Sequence, residues 1–186
     1  MTSSPLRRVR SCLLLLLWPI AGTGCAASTP GRANPPQQLP LEGFWCPGPT
    51  PPSPAAAASR VPPGCVGLEV PRTQQQQSLG LQLRPPLPAD RGMWFPFRPA
   101  RIARFWMHRT PNPLDMVFVQ QGRIVAIQPA AIPCMQLPCP SYGPDEPVDG
   151  VLELAAGQAA HRGLRVGGEL KVELLVPIGL EAPAPD

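Results

Sequence analysis

The placement of proline decides how much of this chain can fold. Proline fixes φ and removes a backbone donor, so a proline-dense stretch supports neither a helix interior nor a central strand. From Ala26 to about Pro63 the sequence is rich in Pro, Ala, Gly and Ser, and Pro49–Pro54 is almost solid proline. Such a stretch cannot bury enough apolar surface to offset its ordering entropy. It is expected as an extended, partly polyproline tether. One interruption, Leu41-Glu42-Gly43-Phe44-Trp45-Cys46, stands open to two readings: a sticky patch in a disordered tether, or a strand or clip packed on the domain. With 30 prolines in 186 residues, roughly 110–120 residues remain for the folded part, enough for one core.

Residues Met1–Cys25 have a different composition. Arg7, Arg8 and Arg10 precede an apolar run dominated by Leu13–Leu17, and Ala21-Gly22-Thr23-Gly24 follows. This is the pattern of a secretory signal peptide. The apolar run is too short for a membrane span, which needs ~20 residues. Gly22-Thr23-Gly24-Cys25 resembles a lipobox with Gly22 where leucine is usual, so lipidation of Cys25 and ordinary cleavage after Ala26 or Ala27 are both open. The expected organisation is a signal peptide at 1–24, a Pro/Ala-rich tether at 25–63, a globular domain at 64–178 and a flexible tail at 179–186. The chain is expected to be exported, to the periplasm or the outer face of a membrane. Membrane contact would come only through the leader or a lipid anchor.

The net charge of +4 owes three units to the leader arginines, leaving 13 basic against 12 acidic side chains. A nearly neutral mature chain is not expected to bind nucleic acid, which needs a summed basic surface.

Within the domain, Cys65–Val70 reads as a strand. Thr73 reads as a helix N-cap, with Gln76 completing a capping box for a helix over Gln74–Gly80. Further strands are expected at Gly92–Phe97, Ile102–Met107, Asp115–Val119 and Arg123–Ile127, the last two joined by a hairpin turn at Gln120-Gln121-Gly122. A long loop from Pro129 to Pro147 leads to a strand at Val151–Leu154. A short helix at Gly157–Arg162 has Gly163 in the position after its C-cap, and Leu170–Val176 closes the sheet. The fold class is mostly β (α+β): a small, barrel-like, largely antiparallel sheet with two short helices.

Three blocks resemble a known family, domain of unknown function 192. They are Leu79-Gly80-Leu81 with Asp90-Arg91-Gly92-Met93-Trp94-Phe95-Pro96-Phe97; Phe105-Trp106-Met107 with Thr110 and Pro113-Leu114-Asp115; and Val151-Leu152-Glu153-Leu154 with Gly157, Ala159-Ala160, Gly163-Leu164 and Val166-Gly167. Tyr142-Gly143-Pro144 is similar too. The resemblance covers about Val66 to Val176 and implies a compact, β-rich, barrel-like domain, often exported, without an established activity. The chain departs from the pattern at His108-Arg109, where the family usually has Lys-Asn, and at Gly168, where it usually has Asp.

The candidate site residues centre on the aromatic stretch between Arg104 and Asp115. Asp115 could serve as a functional carboxylate or lock a turn by accepting backbone N–H bonds. His108 could act as an acid or base, or be held by backbone alone. Alternation puts Phe105 and Met107 on one face and Trp106 on the other, so one of the two sides is available to face a groove. Arg104 and Arg109 belong to an arginine cluster that could recognise an anion or form a solvated face. Thr110 and Tyr142 complete the expected ligand-binding set of Arg104, Trp106, His108, Arg109, Thr110, Asp115 and Tyr142. In an exported chain Cys134 and Cys139 read as a local disulfide; Cys46 and Cys65 could form a second, which would leave Cys25 for lipidation. No metal-ligand spacing occurs, and no metal or cofactor is expected.

The function expected on these grounds is that of a non-catalytic, envelope-associated binding module for a small anionic ligand or envelope glycan, its partner an unknown small molecule or envelope component. Two alternatives stand beside it: a hydrolase using Asp115 and His108 as an acid–base pair, and a structural or assembly protein.

Overall fold

The computed structural model describes residues 35–48 and 61–175. The leader, the lipobox at Cys25, most of the tether and the tail lie outside the described residues. Among the described residues eleven elements occur in order: β1 (Leu41–Trp45), β2 (Val66–Glu69), α1 (Gln74–Leu79), β3 (Arg91–Arg101), β4 (Phe105–Trp106), β5 (Leu114–Gln120), β6 (Arg123–Ala131), β7 (Ser141–Tyr142), β8 (Val148–Ala155), α2 (Gln158–His161) and β9 (Glu173–Leu174).

The long strand β3 is central because its sequence supplies apolar side chains to both faces. Met93, Phe95 and Phe97 enter one core, with Met116, Phe118 and Val151. Trp94 enters the other, with Val117, Val119, Leu152 and Leu154. A strand buried on both faces needs partners on both edges. Here β8 lies antiparallel, with Met93 opposite Glu153, and β2 lies parallel, with Glu69 opposite Met93. A parallel neighbour requires a crossover, and α1 with the following loop provides it. Thr73 caps α1 in the expected capping box with Gln76.

The main sheet has seven strands in the order β6-β5-β8-β3-β2-β1-β9, and β4 and β7 form a separate pair. All pairings except β2–β3 are antiparallel. The expected mostly β class with two short helices is therefore what the chain adopts. The sheet is not a closed barrel, but one segment spans its two sides. The Gly167 amide donates to the Ile124 carbonyl at 2.8 Å and the Leu170 amide to that of Gly122 at 2.9 Å. A few residues on, Glu173 and Leu174 pair with Phe44 and Gly43 of β1. This strap covers the Trp94 core, where Leu170 is buried.

The aromatic patch of the tether is β1, docked on β2 and β9, with the Cys46–Cys65 disulfide tying its end to the start of β2. Of the two readings of that patch, the strand is the one observed. The hairpin joining β5 and β6 turns on Gln121 and Gly122, both with positive φ (50° and 74°). The strand expected at Ile102–Met107 shrinks to Phe105–Trp106, because its partner, β7, offers only two residues for pairing. The loop expected from Pro129 instead begins inside β6, which runs on to Ala131. In the last strand only Glu173–Leu174 joins the ladder.

Candidate functional site

The alternation read from the sequence holds through β4. Phe105 points inward, with its ring 5.0 Å from that of Phe95 in an edge-to-face contact and 6.2 Å from that of Phe118. Met107 is fully buried. Trp106 and His108 therefore face outward, with Trp106 51 % exposed and its ring centroid 5.3 Å from that of His108.

This outward pair is held from behind by backbone. The Arg109 amide donates to the Cys134 carbonyl at 2.8 Å, and the Cys134 amide donates to the Met107 carbonyl at 3.2 Å. The Cys134–Cys139 disulfide closes the loop that makes these bonds. On the far side, the Leu83 amide donates to the Arg109 carbonyl at 2.8 Å. Thr110 is buried, and its hydroxyl donates to the His108 carbonyl at 3.4 Å. The Tyr142 hydroxyl accepts from the Ile132 amide at 3.3 Å. Both act on backbone in the framework that positions Trp106.

Trp106 forms one wall of a groove of about 280 Å³. Its floor is Phe95, Phe97 and Phe105, and Gln74, Gln77 and Ser78 of α1 face Trp106 across it. Arg101 and Arg104 lie at its edge. The Arg101 guanidinium sits 4.1 Å over the Phe97 ring. Arg104 pairs with the exposed Asp145 and donates to the carbonyl of Pro144 at 2.8 Å. The groove thus offers an aromatic face, neutral polar side chains and cations, a set that suits a ring-shaped polar ligand with an anionic group.

Asp115 lies elsewhere. It is 1 % exposed and sits directly opposite Leu154 of β8, so alternation aims it to the Trp94 side of the sheet, whereas β4 packs on the opposite face. One carboxylate oxygen accepts from the Ala130 amide at 2.9 Å and the other from the Ala159 amide at 2.8 Å. The structure therefore brings together Trp106, His108, Arg109 and Thr110, with Arg104 at the groove's edge. It does not bring Asp115 to His108, and the acid–base pair that the sequence allows is not assembled.

Two buried carboxyls escaped the sequence reading, of which Glu69, 5 % exposed, pairs with Arg84 at 2.8 Å. Glu153 is 5 % exposed and lies between Met93 of β3 and Met116 of β5. Among the described residues no hydrogen bond or ion pair holds it, and burial pushes its pKa up to about 8. The available signal was a lone glutamate inside the apolar run Val151-Leu152-Glu153-Leu154. The described residues contain no group of three or more His, Cys, Asp or Glu side chains arranged to hold a metal.

A mixed sheet strapped across its two sides, with a disulfide on each of two flanking segments and an aromatic groove, defines a small clamped β domain. The profile of domain of unknown function 192 (DUF192), described as an uncharacterised ACR family, matches residues 58–172, and the chain belongs to that family. No curated protein matches it. Among solved structures it is similar to a protein of unknown function from Novosphingobium aromaticivorans, at 28 % identity and a TM-score of 0.58, covering 78 % of this chain and 94 % of that one. It is also similar to a "putative transcription regulator" from Sinorhizobium meliloti, at 27 % identity and a TM-score of 0.57, covering 73 % of this chain and 97 % of that one.

Proposed function

We propose that this protein is an exported binding module that holds an anionic saccharide of the cell envelope in the Trp106 groove. The observation that carries the reading is Trp106 itself. A half-exposed indole on a strand fixed by a disulfide loop, facing glutamines and a serine across a groove edged with arginines, is a platform for a sugar ring. The ring stacks on the indole, its hydroxyls meet the Gln74, Gln77 and Ser78 side chains, and its acidic group meets Arg101. Export and periplasmic residence rest on the leader composition and accord with two disulfides, which persist in oxidising compartments. A lipid on Cys25 would hold the domain at a membrane. No described helix is long and apolar enough to cross one.

The regulator description of the Sinorhizobium protein is not carried over. With 13 basic and 12 acidic side chains beyond the leader arginines, the chain has no charge surplus for DNA. The test is a fluorescence titration of the disulfide-bonded mature chain with trigalacturonate and, as a neutral control, maltotriose. The reading expects saturable quenching by the acidic sugar, abolished in Trp106→Ala and weakened by salt. Equal binding of both sugars by wild type and variant, or binding of neither, overturns it.

A further inference from the structure

A second concavity opens on the opposite face of the sheet, under the strap. It encloses about 540 Å³, within the size range of small-molecule sites. Its floor is one end of the Trp94 core, where Trp94 is 8 % exposed and Val119 and Leu170 are buried, and the half-buried Val172 and Leu174 of the strap form a wall. Trp94 reaches this position because Gly150 lies beneath it; a Cβ on Gly150 would fall 2.0 Å from the indole ring.

The opposite wall comes from an irregularity in β3. Pro96 pairs with Gly150 and Arg101 with Val148, so the intervening residues bulge out of the ladder. Bulges re-aim side chains and cluster beside functional sites. This one brings Arg98 to the mouth, and the strap brings Lys171. Both are exposed. Lys171 makes a long, exposed contact of 3.5 Å to Glu169, of the kind worth little in water. Asp149, the acid lining this concavity, has one oxygen accepting from the Gln121 amide at 2.6 Å, and the two cations outnumber its single negative charge. An apolar floor with two cations at its lip has the polarity of a receptor for an amphiphilic anion.

We propose that this mouth binds a single-chain organic carboxylate, its tail along Trp94, Val172 and Leu174 and its carboxylate between Arg98 and Lys171. The site shares only Phe97 with the Trp106 groove and does not depend on it. Decanoate, used below its micellar concentration, is the probe, with decanol as its uncharged counterpart, and the readout is the indole N–H resonance of Trp94 in the mature, disulfide-bonded chain. Decanoate is expected to shift that resonance saturably. The Arg98→Gln/Lys171→Gln double variant changes only exposed side chains and is expected to weaken binding by roughly tenfold or more, the worth of a lost charge-assisted contact. Trp106→Ala is expected to leave decanoate binding unchanged. The proposal fails if decanoate produces no saturable shift, if decanol binds as tightly, if the double variant binds like wild type, or if Trp106→Ala abolishes binding.

Discussion

The Asp115 carboxylate accepts the Ala159 backbone amide at 2.8 Å and so fastens the first turn of α2 to β5. Its other oxygen accepts the Ala130 amide, where β6 departs from regular pairing between Leu114 and Met116. Ala130 has a positive φ of 43° there, a conformation unfavourable for alanine. One carboxylate thus satisfies two backbone donors that the ladder leaves free. Asp115→Ala strands both, and is expected to destabilise the fold by ~2–4 kcal/mol. Asp115→Asn keeps one acceptor and is expected to lose about half as much. Urea denaturation measures both, and an Asp115→Ala protein as stable as wild type would refute the clamp.

Glu153 predicts an unusual pH profile. Its pKa is pushed from 4.5 to about 8 by burial, so the folded state holds its proton more tightly than the unfolded state. Between those values the native state binds more protons, and stability falls as pH rises. The stabilisation is complete below about pH 4.5, is lost progressively on the way up and is gone above about pH 8. Glu153→Gln, which cannot ionise, is expected to remove this component and to be more stable than wild type at pH 9. Melting temperatures of the two proteins from pH 5 to 9 give the answer.

The two faces of β4 should separate stability from binding. Phe105→Ala opens a hole among Phe95, Phe97 and Phe118 and is expected to cost ~3–5 kcal/mol. Trp106→Ala removes a half-exposed ring and is expected to cost under ~1.5 kcal/mol while abolishing saccharide binding. Thermal melts and sugar titrations on the same pair of variants distinguish the roles.

The two disulfides should also differ. Cys46–Cys65 spans 19 residues and fixes β1 to β2, whereas Cys134–Cys139 spans 5. Serine replacement of the first pair is expected to cost ~3 kcal/mol. Replacing the second is expected to cost less stability but to weaken the Trp106 groove, whose backbone hangs on Cys134. Denaturation and binding measurements on each double variant decide this.

Features encoded by neighbours in sequence were legible without a structure. The capping box at Thr73 and Gln76, the turn at Gln121-Gly122 and the alternation of Phe105, Trp106 and Met107 all follow from local rules, and the structure shows each. Four cysteines after Cys25 allow three connectivities; the nearness of Cys134 to Cys139 in one loop favoured the pairing that the structure shows. The separation of Asp115 from His108 was not legible, because the face each residue occupies depends on which strand lies beside it. Glu153 was hidden for the same reason: a glutamate in a strand reads as solvent-facing until strands are known to flank it on both sides. The mouth under the strap combines Trp94 and Arg98 of β3 with Lys171, more than seventy residues further on, and no local pattern signals it.

The strap also has a bearing on the order in which the domain can form. A polypeptide is made from its N-terminus, so β1 emerges long before Leu174, its neighbour on one side. Until the strap arrives, the outer edge of β1 presents unsatisfied backbone groups and the Trp94 core lacks Leu170. Among the described residues the domain is therefore completed by its last strand, and the vulnerable interval, when an open edge can pair with another chain, lasts until that strand has joined.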